Sequence, residues 1–380
     1  RYNRGLARLL NGDLPGGFAD YETRWQVPDF PSKRLVTDKP QWDGQPLPAG
    51  TLLLHAEQGL GDTLQMLRYL PQAAARAGQV WLLIQAPLRG LVQLPPNVRL
   101  LEDGQKLPAF DAVSPLLSLP HLFGTDILNI PAPIPYLQVD EARQEHWRQR
   151  LANSAPAGLR KIGLTWAGNP SHRNDANRSL PFEHLAPLLK LPGIQWFALQ
   201  VGNGREALAQ HPQIIDLGPE LKDFSDTAAA LEQLDLLITV DTSIAHVAGA
   251  LGLPVWLLLP QVPDWRWLLD RDDSPWYPSL TLWRQSGHDQ WPALLARLGQ
   301  HLQGLLQDKG GEAAAEQATE AGRAELEQRQ DAAAERQFWR AVRLCPWYGR
   351  AMSGLAVLAW KQNRPAAALL FGARACRLDP

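Results

Sequence analysis

The chain has 380 residues, 37 of them basic and 39 acidic, so its net charge of −2 gives no general basic field for nucleic acid. No apolar run approaches the length of a membrane span, no signal peptide opens the chain, and the 2 cysteines, Cys345 and Cys376, form no metal or redox motif. These features predict a cytoplasmic protein of two or three domains with no membrane span, and the start at Arg1 rather than Met suits a fragment of a longer one.

Residues 1–26 read as two short helical pieces, with Gly5, Gly12, Gly17 and Tyr21 at turn and packing positions. Residues 27–49, rich in Pro, Asp and Lys, read as a linker. Gly50 to His55 is a predicted strand, followed by the glycine-rich turn Ala56-Glu-Gln-Gly-Leu-Gly-Asp62 and a helix over Thr63–Ala77. Further strands are predicted at Val80–Ile84, Val98–Leu101 and Phe110–Val113. Residues 50–140 therefore read as a Rossmann-like α/β domain. Within it, Gly59 and Gly61 allow close approach of a ligand. Asp62 is either a helix cap, with Gln65 completing a capping box, or a carboxylate facing a cleft at the sheet's C-terminal edge.

Residues 141–160 read as a helix and linker, and 161–306 as a second α/β domain. Its strands are expected at Ile162–Trp166, Gln195–Gln200, Ile214–Leu217, Leu236–Val240, Val255–Leu259 and Leu280–Trp283. Helices are expected over Ser225–Leu234 and Asp289–Leu306. The organising stretch is Leu236–Leu259. There Asp241, Thr242 and Ser243, all helix-capping types, join a buried strand to a helix over Ile244–Leu251, and Gly252 and Pro254 end it. Such a turn presents backbone N–H groups to a phosphate, with His246 one turn further along. The polar loop Trp166–Ser179 brings Asn169, His172, Arg173 and Arg178, and arginines beside a sheet edge favour a diphosphate. Asp270 and Asp272 read as a solvated face rather than a metal site. Pro263–Trp267 and Trp276-Tyr277 either line a sugar cleft or pack a helix against the sheet.

Residues 308–318 read as a hinge or helix start. Beyond them, within 313–380, Ala334, Ala341 and Pro346 return as Ala368, Ala375 and Pro380, each 34 residues later. This is the tetratricopeptide period, with two all-α helix pairs and Gly372 where an aromatic is usual. Residues 1–26 resemble the end of another such repeat. Because each repeat buries its face on a neighbour, both ends look cut from, or docked to, a longer helical array, and a protein partner bound through the repeats is expected.

The motif Asp241-Thr-Ser-Ile-Ala-His246, the Gly59-x-Gly-Asp62 turn and Arg178-Ser-Leu-Pro181 together resemble the heptosyltransferase-like glycosyltransferases over about residues 50–300. The resemblance implies a GT-B architecture of two Rossmann-like domains with a cleft between them. It also implies inverting, metal-independent transfer from a nucleotide-diphosphate sugar, with no tightly bound cofactor. Asp62 is then the base. Arg178, Asp241, Thr242, Ser243 and His246 lie near the donor, Arg178 standing where the family often has lysine. Gly59, Gly61, Asn169, His172 and Arg173 are further cleft candidates. The acceptor would be a glycan, a lipid-linked group or a protein. Fusion to tetratricopeptide repeats resembles a bacterial subgroup. The rival readings are a non-catalytic repeat adaptor with a degenerate transferase module and a sugar-nucleotide epimerase of similar shape.

Overall fold

In a computed structural model, which describes every residue except Asp29, Asp103, Ala132, Ala157, Asp289, Asp308, Lys309 and Pro380, the chain divides into two compact units. The first comprises residues 1–140, 223–225 and 263–270, and the second comprises 141–222, 226–262 and 271–380. The residues read as a terminal repeat and a linker thus share a unit with the first sheet. Residues 263–270, although they follow the fifth strand of the second sheet, belong to the first unit as well. Asp289 of the expected closing helix, Asp308 and Lys309 of the expected hinge, and Pro380 of the repeat signature lie outside the described residues.

Each strand expected from the sequence is present. In the first unit β1 (Leu47–His55), β2 (Ala77–Leu83), β3 (Val98–Leu100) and β4 (Ala112–Pro115) form a parallel sheet in the order β3-β2-β1-β4. Leu52, Leu53 and Leu54 are fully buried in it, as a strand covered on both faces requires. The predicted helix over Thr63–Ala77 is shorter and broken. It runs over Leu60–Met66, tightens into a 3-10 turn at Leu67–Tyr69, and restarts at Leu70–Ala74, where Pro71 sits in the first turn. Proline lacks the N–H that a continuous helix would need and fits a helix start. The N-terminal residues form helices Tyr2–Leu10 and Leu14–Tyr21, then a 3-10 turn Glu22–Gln26. Phe18 of this pair meets the ring of Trp265 edge-on at 5.5 Å.

In the second unit β5 (Arg160–Thr165), β6 (Ile194–Ala198), β7 (Ile214–Asp216), β8 (Leu236–Val240), β9 (Val255–Leu259) and β10 (Leu280–Arg284) form a parallel sheet in the order β10-β9-β8-β5-β6-β7. Every residue of β8 and β9 is buried, consistent with their unbroken apolar sequence. The helix expected before this sheet spans Glu141–Ala152.

Four helices close the chain: Gly310–Glu327, Asp331–Leu344, Gly349–Lys361 and Pro365–Leu378. The second and fourth start and end 34 residues apart, and the first and third end 34 apart (365 − 331, 378 − 344 and 361 − 327). Phe338 makes the link between the pairs. A Cβ on Gly322 would fall 2.7 Å from its ring, and one on Gly354 would fall 2.5 Å from it, so both flanking helices approach where side chains are absent. The last helix is fixed to the α/β part of its unit by Arg374 and Arg377, whose guanidinium groups donate to the Leu234 carbonyl at 3.3 Å and 3.1 Å. Among the described residues no helix is long and apolar enough to cross a membrane.

Candidate functional site

A parallel α/β sheet offers ligands a crevice where neighbouring strands send their connections to opposite sides, outside the strands' C-terminal ends. In the first sheet that switch point lies between β1 and β4, and in the second between β5 and β8. The two most distinctive motifs of the sequence follow β1 and β8.

After β1, the turn 56–62 and the segment after β4 line a shallow recess with Ala56, Glu57, Gln58, Asp62, Thr63, Leu116 and Leu117. Gly59 is the N-cap of the helix Leu60–Met66, and Asp62 is its third residue, not its cap. The Asp62 carboxylate reaches back, and its Oδ2 accepts from the Gly59 N–H at 2.8 Å. A Cβ on Gly59 would stand 3.0 Å from that oxygen, so a larger residue would crowd the bond. Oδ1 accepts from Arg266 Nη2. Gln65 completes no capping box and instead accepts from Arg266 Nε at 2.6 Å. Burial pushes the Asp62 carboxyl above the ordinary range, Arg266 opposes it, and Asp264 adds to it. Gln85, just beyond β2, fixes the turn from behind by donating to the Gln58 carbonyl at 2.9 Å and accepting from Thr63 Oγ1 at 2.9 Å.

Glu57, five residues earlier, has a fully buried side chain paired at 2.8 Å with the equally buried Arg24 of the N-terminal 3-10 turn. Arg24 also donates to Glu22 at 2.8 Å and to Ser118 Oγ at 2.8 Å, and its guanidinium lies 4.8 Å from the Trp25 ring centre. Burial raises the Glu57 carboxyl to about 7 against the pull of Arg24. Gln58 donates to Tyr21 Oη at 2.8 Å. The N-terminal helices therefore build one wall of this loop, a role that the sequence reading did not foresee. Arg24, Glu57 and Arg266 were all missed as site residues. The one local signal was Arg266 itself, a lone cation between two tryptophans.

In the second unit the helix Ser243–Ala250 starts at the switch point. Its N-cap, Thr242, has extended backbone, and its hydroxyl makes no capping hydrogen bond. Arg178 bridges the two loops, donating from Nη1 to the Asp241 carbonyl at 3.0 Å while Nε pairs with Asp175 at 3.1 Å. The hydroxyls of Thr165 and Thr239, on β5 and β8, hydrogen-bond across the same point. Gln200 holds the loop after β5, accepting from the N–H groups of Trp166 at 3.1 Å and Ala167 at 3.2 Å. The structure thus brings Arg178, Asp241, Thr242 and Ser243 to one place. His246 is buried, and its Nδ1 lies 2.9 Å from Tyr277 Oη. Asn169, His172 and Arg173 occupy an exposed turn in which Asn169 accepts from Ser171 N–H at 3.0 Å. Trp265, Trp267, Trp276 and Tyr277 are buried, which makes them packing residues. Asp270 and Asp272 are exposed. Among the described residues no three His, Cys, Asp or Glu side chains gather as metal ligands would.

No protein-family model matches the chain. It is 26% identical over 327 residues to protein FlbA of Caulobacter vibrioides, an alignment covering 78% of this chain and 54% of FlbA. The chain therefore spans about half the length of that curated relative. Among solved structures it is similar to a glycosyl transferase family 9 protein from Veillonella parvula, with TM-score 0.44 and 14% identity over 64% of this chain and 88% of that one. It is likewise similar to the E. coli ADP-heptose LPS heptosyltransferase II, with TM-score 0.42 and 15% identity over 66% of this chain and 99% of that one. The E. coli heptosyltransferase WaaC with ADP-2-deoxy-2-fluoro heptose gives TM-score 0.42 and 14% identity, over 66% and 99% of the two chains.

Proposed function

We propose that this chain is a glycosyltransferase of the GT-B type that takes its sugar from a nucleotide-diphosphate donor and inverts the anomeric centre. The acceptor hydroxyl binds at the first sheet's switch point and gives its proton to Asp62. Its oxygen bonds to the anomeric carbon as the bond from that carbon to the diphosphate breaks, and the electron pair leaves with the diphosphate. The N–H groups at the start of Ser243–Ala250 and the guanidinium of Arg178 stabilise that leaving group. Thr242 and Ser243 contact the same anion, while His246 supports the helix from behind through Tyr277. The terminal helices are tetratricopeptide pairs.

One observation carries the reading. Two separate parallel sheets each put a polar motif at a switch point, one built around a partly buried carboxylate and the other around a helix start with an arginine. A proton acceptor and a diphosphate site are the two parts that inverting transfer needs.

The test is Asp62→Asn. Thermal shift against ADP-, GDP- and UDP-glucose first identifies a nucleotide sugar that stabilises the folded wild type. Nucleotide release from it is then measured for both proteins beside their melting temperatures. Loss of the proton acceptor should slow turnover roughly a hundredfold or more. The helix should survive, since Asn can still accept from the Gly59 N–H. Near-normal turnover in a stably folded variant rejects the role and leaves the repeat-adaptor reading in its place.

A further inference from the structure

The Arg266 side chain is engaged on all sides beside Asp62. Besides Asp62 Oδ1, its guanidinium donates from Nε to Gln65 Oε1 at 2.6 Å and from Nη1 to Asp264 Oδ1 at 2.8 Å. The guanidinium carbon lies 4.3 Å from the centre of the Trp265 ring, and the side chain is 9% exposed. Three acceptors around one plane, with an aromatic ring on its face, is a set that a guanidinium satisfies and an ammonium does not. The neighbours are organised around it. Gln65 is fully buried with its carbonyl turned to Arg266, which leaves its Nε2 without a hydrogen-bond partner among the described residues. The segment that carries Arg266 is strained just downstream, where two non-glycine residues, Leu268 at φ 54° and Asp270 at φ 51°, adopt left-handed backbone.

We propose that Arg266 is the positioning residue of this site: through Oδ1 it fixes the direction of the Asp62 carboxylate and sets a positive charge directly against it. With Oδ1 held by Arg266 and Oδ2 by the Gly59 N–H, the carboxylate cannot rotate. Its remaining lone pairs face one direction, which a base acting on a hydroxyl requires. The other charged and titratable groups around the pair are Asp264 on the same segment, Glu57 on the β1 turn with its partner Arg24, and Tyr21 and Tyr2 of the N-terminal helices. Arg266 is the cation among these that bonds Asp62 directly. The inference rests on the proposed function for the role of Asp62 as base, but not for the contact or its electrostatic effect.

The test needs neither donor nor acceptor. A water-soluble carbodiimide with glycine ethyl ester labels protonated carboxyls, so modification of Asp62 against pH, read by peptide mass spectrometry, reports its ionisation. In Arg266→Gln the labelling midpoint should rise by about one pH unit or more relative to wild type. Arg266→Lys should return most of that shift, which a purely packing role would not produce. If Arg266→Gln does not fold, Arg266→Met, whose straight chain keeps the contact with Trp265, carries the same expectation. Coincident midpoints in wild type and the folded charge-removed variant overturn the proposal. A shifted midpoint alongside normal turnover of Asp62→Asn would keep Arg266 as the positioning residue and remove the base reading instead.

Discussion

The two switch points solve opposite electrostatic problems. At the first, the Glu57 side chain is fully buried and that of Asp62 is partly buried, and each meets a buried guanidinium far away in sequence: Glu57 pairs with Arg24, 33 residues before it, and Asp62 with Arg266, 204 residues after it. At the second, the key groups are backbone N–H donors at a helix start, with an arginine held beside them by Asp175 and a carbonyl. A carboxylate that must accept a proton has to be desolvated without being lost to protonation, so it needs a dedicated cation. A site for a diphosphate needs positive potential that its own side chains do not cancel, so its helix is better left without a side-chain cap. Under the proposed roles, the contrast accounts for a first site that recruits remote elements and a second built from one contiguous stretch and one loop.

The sharpest way to break this contrast is to remove a cation from the first site. In Arg24→Ala, Glu57 keeps its burial and loses its partner, and Ser118 and Glu22 lose a shared donor. Breaking one side of a buried pair costs about 3–5 kcal/mol. Chemical denaturation should show that loss, and the N-terminal helices should become sensitive to protease. A loss below about 1 kcal/mol would mean that Glu57 finds compensation elsewhere and that the N-terminal helices are only loosely tied to the loop.

This contrast also decides what the sequence could reveal. Leu236–Val240 and Val255–Leu259 were legible because a parallel strand covered on both faces is an unbroken apolar run. The turn after β8 was legible because strand, capping residues and helix are consecutive. Asp62 was legible as a candidate through its glycine-rich turn, but its true place, third in the helix, depended on whether the helix began at Leu60 or Thr63. Glu57 was passed over because a glutamate at the start of a glycine-rich turn has no local signature. What singles it out is the fold of residues 22–26 onto the end of β1. Arg266 was hidden for the same reason: parallel sheets are assembled by long crossovers, and no periodic pattern records which crossover returns to which loop. His246 was legible as the end of the Asp241–His246 motif, whereas its partner Tyr277, 31 residues on, was not.

A gentler probe of the first site uses pH. Glu57 titrates at about 7 in the folded protein against an ordinary value of 4.5, so folding favours its protonated form. The stability tied to that form is complete below about pH 4.5 and is lost as pH rises through about 7. Wild type should therefore lose on the order of 1–3 kcal/mol across this window relative to Glu57→Gln, which carries no charge to bury. Glu232 also titrates at about 7, but it is common to both proteins and cancels in the difference. Parallel stability–pH curves for the two proteins would show that Arg24 fully offsets the burial of Glu57.

The smallest effect expected lies at the second site, where stability and binding should separate. Replacing a threonine N-cap by alanine ordinarily costs about 1 kcal/mol, because a side-chain acceptor for a helix N–H is lost. The Thr242 hydroxyl accepts no such bond. In Thr242→Ala the melting temperature should therefore move by less than that cost implies, within about 0.5 kcal/mol of wild type. In the wild type the Thr242 hydroxyl stands with the neighbouring N–H groups as a donor toward an anion, and one neutral hydrogen bond is worth about 0.5–1.5 kcal/mol. Calorimetry with ADP, GDP and UDP should then show the best-binding nucleotide weakened roughly two- to tenfold. A variant that loses stability and keeps its affinity would make Thr242 an ordinary cap, and the difference between the two sites would shrink to one of arginines alone.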